Sequence, residues 1–123
     1  MQSTMIQTYR RMQVHTTTPP SLVVMLIQAA LRFLVGAKEA LAKSDLEKTH
    51  GDLVRVQDII GELMGALDLD KGEIASNLFS IYEYMMGRLV EANVKKEAKA
   101  IGEVESLLGG LLPAWQEIAR EAG

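Results

Sequence analysis

Apolar side chains recur with a helical period along most of the chain, and no stretch alternates with the period of two that a half-buried strand requires. Short polar or glycine-containing connections divide this pattern into helical segments. Because the connections are short, consecutive helices must run antiparallel. The sequence therefore predicts an all-α fold, an antiparallel up-down-up-down four-helix bundle. The predicted helices cover about 18–43, 45–67, 72–93 and 97–121.

The first part of the chain, residues 1–17, is polar and lacks helical periodicity. We expect it to form an N-terminal tail, mobile or folded back, outside a bundle domain of residues 18–123. Tyr9 and Val14 interrupt the polar tail with apolar side chains, which makes them candidate anchors. The first helix should begin at Thr18-Pro19, since threonine caps free N–H groups and proline fits the first helical position.

The helices differ in how much apolar surface they carry. The first is apolar nearly all round, which suits a helix surrounded by neighbours at the centre of the domain. The second has the seven-residue repeat of a bundle seam, formed by Leu46, Leu53, Ile60 and Leu67. The third has two adjacent apolar stripes and should therefore touch two surfaces. These stripes are Ile74, Leu78, Ile81, Met85, Leu89, Ala92 and Phe79, Tyr82, Met86, Val90.

Local signals predict where the helices begin and end. Ser44 and Glu47 have the spacing of a capping box at the start of the second helix. Asp70 is the expected cap of the third helix, and Asn93 is its expected left-handed stop. In the fourth helix, the segment 109–113 contains two glycines and Pro113, which predicts a kink or a break.

Composition limits the classes of function that remain. With 123 residues the chain fits one domain, and the absence of cysteine excludes disulfides, thiolate metal sites and cysteine nucleophiles. A net charge of -3 without a basic stripe argues against nucleic-acid binding. Charged residues interrupt the apolar stretches and no signal peptide is recognisable, so we expect no membrane insertion and a cytoplasmic location.

Candidate chemistry is sparse. Glu47 and His50 have the Glu-x-x-His spacing of bundle-core metal sites, but such sites need a second copy and two further glutamates, so we expect no metal and no cofactor. His50 is also the candidate for a histidine-phosphotransfer bundle, although neighbouring Asp52 has the wrong sign to balance a phosphoryl group. His15 lies in the tail. No phosphate loop or nucleophile motif occurs, so we expect no enzyme and no catalytic residue.

Surplus apolar surface is the feature that points to binding. The chain has seven methionines, and methionine adapts to irregular partner surfaces. A well-filled core would account for the same composition. Gly61 and Gly65, one turn apart, would open a shallow groove on the second helix or serve ordinary close packing between helices.

Several stretches, in their order and spacing, resemble the flagellin-specific export chaperone family, FliS. The resemblance covers about residues 9–115 and is most specific in the third helix. It is carried by Tyr9 and Val14, by Thr16-Thr17-Thr18-Pro19 followed by Leu22-Val23-Val24-Met25-Leu26, by Val56-Gln57-Asp58-Ile59-Ile60-Gly61-Glu62-Leu63, by Leu69-Asp70-Lys71-Gly72-Glu73-Ile74-Ala75-Ser76-Asn77-Leu78, and by Tyr82-Glu83-Tyr84-Met85-Met86-Gly87-Arg88-Leu89-Val90-Glu91-Ala92-Asn93.

This resemblance implies a cytoplasmic helical bundle without catalysis. It implies that the protein binds the C-terminal segment of flagellin, prevents its premature polymerisation and assists its type III export. Components of the export apparatus and regulatory proteins are further expected partners, and the empty protein is expected to be a monomer or a weak homodimer.

We place the expected binding surface on the second and third helices, where a disordered segment can fold as a helix in an apolar groove. Its expected apolar anchors are Ile60 and Tyr82. Its expected polar contacts are Gln57, Asn77, Arg88 and Asn93, although an intramolecular cap or salt bridge is equally compatible with Arg88 and Asn93. Tyr9 and Val14 would cover apolar surface while the protein is empty, and bound flagellin would displace them.

Overall fold

The computed structural model describes residues 18–122, which form four α-helices joined by short connections and contain no β-strand. A 3₁₀ turn, Leu69–Lys71, precedes the third helix. The all-α four-helix prediction is therefore confirmed. The helices are α1, Pro20–Ala42; α2, Leu46–Gly65; α3, Glu73–Lys95; and α4, Ala98–Ala122.

The four helices form a ring in which each packs against two others. α1 packs against α2 and α4, and α3 packs against the same two helices from the other side. α1 and α2 are antiparallel, because contacts further along α1 meet earlier residues of α2. Arg55 stacks 5.5 Å from the centre of the Phe33 ring, whereas Lys48 lies beside Gly36. This is the antiparallel order that the short connections require.

The core consists of one inward stripe from each helix, spaced at three and four residues. Trp115, Tyr82, Leu34 and Met85 are among its largest fully buried side chains. Fully burying one side chain of this kind contributes about 1.5–3 kcal/mol, so the stripes hold the helices together. The seven-residue repeat of α2 enters the core at Leu53 and Ile60, whereas Leu46 is half exposed.

α1 does not lie at the centre of the bundle. It has two neighbouring helices and an outer face, on which Leu22, Met25 and Val35 are 43%, 62% and 43% exposed. The expectation of a helix surrounded on all sides is therefore wrong. α1 is nevertheless long and apolar enough to cross a membrane, with a mean hydropathy of 1.8 over its best 18-residue window, although Arg32 lies inside every such window. Core helices of soluble proteins have the same property, and α1 contributes Val23, Ile27 and other residues to this core.

The caps of α1 and α2 differ from the sequence prediction by one residue. Pro19 occupies the N-cap position of α1, next to Thr18, and makes no side-chain capping bond. At α2 the cap is Asp45, whose Oδ1 accepts a hydrogen bond from the Lys48 backbone N–H at 3.1 Å. Ser44 has a φ of 60°, in the left-handed region, so it ends the preceding turn and does not cap α2.

The two ends of α3 also differ from the prediction. Gly72, with a φ of 122°, occupies its N-cap position, and Asp70 lies inside the 3₁₀ turn that Asp68 caps. The left-handed residue at the other end is Lys96, not Asn93, with φ 51° and ψ 55°. Asn93 lies inside the helix, and its side chain, described below, makes hydrogen bonds to His50 and Lys96.

α4 continues through Pro113, so the expected break does not occur. A proline in a helix interior costs about 3 kcal/mol and leaves the carbonyl four residues earlier without its N–H donor. That residue is Gly109, and both it and Pro113 are exposed, so water can reach the carbonyl. Leu108, Trp115 and Ile118 are buried on the opposite side of the helix and hold it against the core.

Candidate protein-binding groove

We use the name groove for the outer seam between α2 and α3. Gly61 lies on its α2 side, and Met86 and Val90 lie on its α3 side. Among residues 18–122, a Cβ atom added at Gly61 would meet only Met86 Cε at 3.9 Å, and one added at Gly65 would meet nothing within 4 Å. Close helix packing therefore does not require either glycine. The missing side chain of Gly61 leaves space beside Met86, and Gly65 is exposed to solvent.

One end of this groove forms an open pocket of about 220 Å³. We call it the terminal pocket, because it lies where α2 begins and α3 ends. Val90 and Val94 form an apolar wall and are 47% and 78% exposed. The terminal pocket is lined by His50, Gln57, Val90, Asn93, Val94 and Lys96.

The polar side of the terminal pocket is ordered by the amide of Asn93. Asn93 Nδ2 lies 2.8 Å from His50 Nδ1, and Lys96 Nζ donates a hydrogen bond to Asn93 Oδ1. An ammonium group only donates, so Lys96 must face the amide oxygen and His50 must face the amide nitrogen. Neutral His50 therefore accepts at Nδ1 and carries its proton on Nε2. Asn93 thus joins α2 to the end of α3.

The six expected contact residues fall into three places. Gln57 and Asn93 line the terminal pocket together. Ile60 and Tyr82 are only 0% and 1% exposed, so the expectation that they lie on the surface as anchors is wrong. They belong to the inward stripes of α2 and α3, and this conformation offers a partner none of their surface.

The other two expected residues lie away from the groove. Asn77 and Arg88 are eleven residues apart, which places both on the side of α3 that faces α4. Asn77 is exposed. Arg88 Nε lies 2.6 Å from Glu103 Oε1 of α4, and the same guanidinium reaches Glu91 at 3.1 Å and Glu97 at 3.9 Å.

Arg88 and Tyr84 of α3 and Glu103 of α4 form a polar cluster that links the two helices, which we call the clamp. Tyr84 donates its hydroxyl to Glu103 Oε2 at 2.8 Å. The hydrogen bond to Glu103 raises the pKa of Arg88, and the bonds from Arg88 and Tyr84 lower the pKa of Glu103. The intramolecular use of Arg88, which the sequence left open, is therefore present. For Asn93 the intramolecular bonds and the position in the pocket coexist.

The residue pattern does not indicate every residue of the pocket. Val94 and Lys96 are not among the expected contacts, although Met86, Val90 and Val94 recur at four-residue intervals and so continue one apolar edge. The sequence offers His50 only as a candidate for metal or phosphoryl chemistry. Tyr9 and Val14, the expected tail anchors, lie outside residues 18–122.

The alternative uses of His50 gain no support from its surroundings. Its Nδ1 is bonded to Asn93, which carries no charge. Between residues 18 and 122, no group of three or more histidine, aspartate or glutamate side chains is placed to hold a metal ion. The terminal pocket is therefore built for hydrogen bonding and apolar contact.

A second concave surface lies on α1. It has a volume of about 420 Å³ and is lined by Leu22, Met25, Leu26, Gln28, Ala29 and Arg32. It is larger than the terminal pocket, but it lies along a single helix and contains none of the expected contact residues. We therefore take the groove between α2 and α3 as the candidate site.

Comparison with known proteins identifies relatives over most of the chain. A sequence profile described as "Flagellar protein FliS" matches residues 1–122. The flagellar secretion chaperone FliS of Salmonella typhimurium is 39% identical over 111 residues, covering 89% of this chain and 82% of the relative. The protein of the same name from Bacillus subtilis is 33% identical over 109 residues, covering 89% and 81%. That of Campylobacter jejuni is 34% identical over 111 residues, covering 89% and 87%.

The relatives are named as chaperones, not as enzymes, which agrees with a site that contains no catalytic constellation among the described residues. A profile match over nearly the whole chain, together with relatives above 30% identity on a four-helix bundle, shows that the chain belongs to the flagellar protein FliS family.

Proposed function

We propose that this protein is a flagellar secretion chaperone that binds the C-terminal segment of flagellin, prevents its premature polymerisation and assists its type III export. Membership of the FliS family is the observation that carries the proposal, because the named relatives are flagellar secretion chaperones. Such a chaperone acts on its cargo before secretion, so its place of action is the cytoplasm. The export apparatus and regulatory proteins are its further partners.

The groove between α2 and α3 is the proposed binding surface. Its apolar edge, Met86, Val90 and Val94, follows one side of α3 at intervals that match the rise of a helix lying alongside it. Gln57 and Asn93 stand at the margin of this edge and offer amide donors and acceptors to a bound backbone. An amphipathic segment that orders itself on binding pays about 2–5 kcal/mol, which buried apolar area must offset.

The assignment of contacts differs from the expectation drawn from the sequence. Ile60 and Tyr82 support the floor of the groove from within the core, and Val90 and Val94 take over as the apolar anchors. Arg88 and Asn77 remain candidate contacts for a part of flagellin that extends over the α3–α4 side. Tyr9 and Val14 are proposed to cover apolar surface of the empty protein.

Titration of the purified protein with a C-terminal flagellin peptide from the same organism tests the proposal. Calorimetry should give a one-to-one complex, and far-UV circular dichroism should show helix gained by the peptide on binding. A scrambled peptide of the same composition is the control. In a sedimentation assay, the protein should keep flagellin monomers from forming filaments. Absence of peptide binding, or equal binding of the scrambled peptide, would contradict the proposal.

A further inference from the structure

Lys96 places a positive charge at one end of the groove without an acidic partner among residues 18–122. Its ammonium bonds to the neutral oxygen of Asn93. The neighbouring Lys95 differs, since it pairs with Glu91 at 3.3 Å. Within the described part of the chain no acidic residue lines the terminal pocket, and His50 is one of the residues that do. The charge of the terminal pocket therefore complements a carboxylate.

The walls of the terminal pocket indicate which kind of carboxylate it suits. With a volume of about 220 Å³ and a side open to solvent, the pocket has room for one residue and its charged group. Val90 and Val94 offer an apolar wall to the side chain of that residue. An apolar side chain and a carboxylate on the same residue occur together only at the C-terminus of a polypeptide.

The position of the terminal pocket agrees with a chain end. α3 ends at Lys95, and Lys96 turns away in the left-handed conformation, so the apolar edge of α3 stops at Val94. A helix that lies along Met86, Val90 and Val94 would run out of apolar surface at this point. The ammonium of Lys96 would then face the negative end of the bound helix, where cations are stabilising.

We propose that the terminal pocket binds the free C-terminal carboxylate of the polypeptide held in the groove, with Lys96 as its cation and Asn93 as the residue that positions it. His50 donates a second hydrogen bond from Nε2, and Val90 and Val94 hold the last side chain. The inference rests on the proposed function, because it assumes that a C-terminal segment occupies the groove. It also fixes the direction of the bound chain, since the bound segment must end at the Lys96 end of the groove.

Calorimetric titration with two peptides tests the inference. The peptides are the flagellin C-terminal segment with a free carboxylate and the same segment with a C-terminal amide. For the unaltered protein we expect the free acid to bind about 10-fold more tightly, which corresponds to roughly 1.4 kcal/mol. This size is reasonable for a hydrogen bond to a charged group that is partly exposed to solvent.

Two variants assign the effect to the terminal pocket. Lys96→Gln removes the ammonium and should reduce the preference for the acid to about 2-fold or less, as expected when one charge-assisted bond is lost. Lys95→Gln removes the same charge one residue away, outside the pocket lining, and should keep the full preference. Lys95 is exposed and Lys96 is half-buried, and neither belongs to the core, so thermal melts of the two variants should match that of the parent.

The possible outcomes distinguish failure of the carboxylate site from failure of the proposed function. Equal binding of acid and amide would overturn this inference and leave the proposed function standing. A preference that persists in Lys96→Gln would also overturn it, by placing the carboxylate elsewhere. If an amidated peptide with an aspartate at its last position binds as tightly as the free acid, the pocket recognises side chains and not chain ends, which overturns the inference. Failure of every peptide to bind would overturn the proposed function, and this inference with it.

Discussion

Replacing both exposed valines of the groove by serine separates binding from folding. Val90 and Val94 are 47% and 78% exposed, and a partner helix would cover both. If fully burying a valine contributes about 1.5 kcal/mol, covering these fractions contributes about 0.7 and about 1.2 kcal/mol. The double variant Val90→Ser/Val94→Ser should therefore lose about 2 kcal/mol of binding free energy, roughly a 30-fold increase in Kd.

The same double variant should leave the fold intact. Exposed positions away from caps and charge networks change stability by about 0.5 kcal/mol or less, and serine and valine have similar helix propensities. Chemical denaturation should give the same midpoint and slope as the parent. A matched control is Val35→Ser on the outer face of α1, which is 43% exposed and lies away from the groove. It should change neither stability nor flagellin-peptide affinity.

The assay is calorimetric titration of parent, double variant and control with the flagellin C-terminal peptide. Unchanged affinity of the double variant would refute the assignment of the groove, because about 2 kcal/mol cannot vanish if these side chains become buried. A loss of affinity that the Val35→Ser control shares would instead indicate non-specific apolar contact. A loss that follows the denaturation midpoint would show that the valines act on the fold.

Three further predictions address the core, the clamp and the tail. Ile60→Ala should lower the free energy of unfolding by about 2–4 kcal/mol, because Ile60 is fully buried, and a denaturation series checks this. The affinity of the folded variant for the flagellin peptide should change little, which a titration measures. The pKa of Glu103 is lowered by Arg88 and Tyr84, so the contribution of Glu103 to stability should be present above about pH 4.5 and be lost as the pH falls through the lowered pKa. Glu103→Gln should weaken this acid dependence of the thermal melt, and an unchanged dependence would contradict the clamp. Tyr9→Ala should change flagellin affinity without lowering the melting temperature, and an equal loss of both would make Tyr9 structural.

The architecture was predictable because helical periodicity and short connections leave few alternatives. The predicted bounds of α2 and α4 differ from the observed ones by one or two residues at each end. The errors at helix caps have a local cause, because Ser44 and Asp45 can both accept the bond and only the backbone conformation decides between them. Pro113 shows the opposite case, in which tertiary packing overrides a local signal.

The site was less predictable than the fold for a geometric reason. Successive residues of a helix such as α3 are rotated by about 100°, so a small difference in angle separates a core position from a groove position. The sequence does not reveal this difference between Tyr82 and Val90, because both are apolar. Both are apolar members of the same predicted stripe, yet one is 1% exposed and the other 47%. Only the placement of α2 and α4 around α3 shows which apolar residues remain after the core is filled.

The polar residues of the site were better predicted than its apolar anchors. Gln57 and Asn93 belong to stretches that resemble a family pattern, and the structure brings them to one pocket although 36 positions separate them in the chain. Asn93 orients two other side chains at once, since its oxygen is held by Lys96 and its nitrogen by His50. An aspartate at this position would keep the bond to Lys96 and neutralise the positive charge that the terminal pocket offers. The amide instead leaves that charge available, which is the arrangement a site for an incoming carboxylate requires.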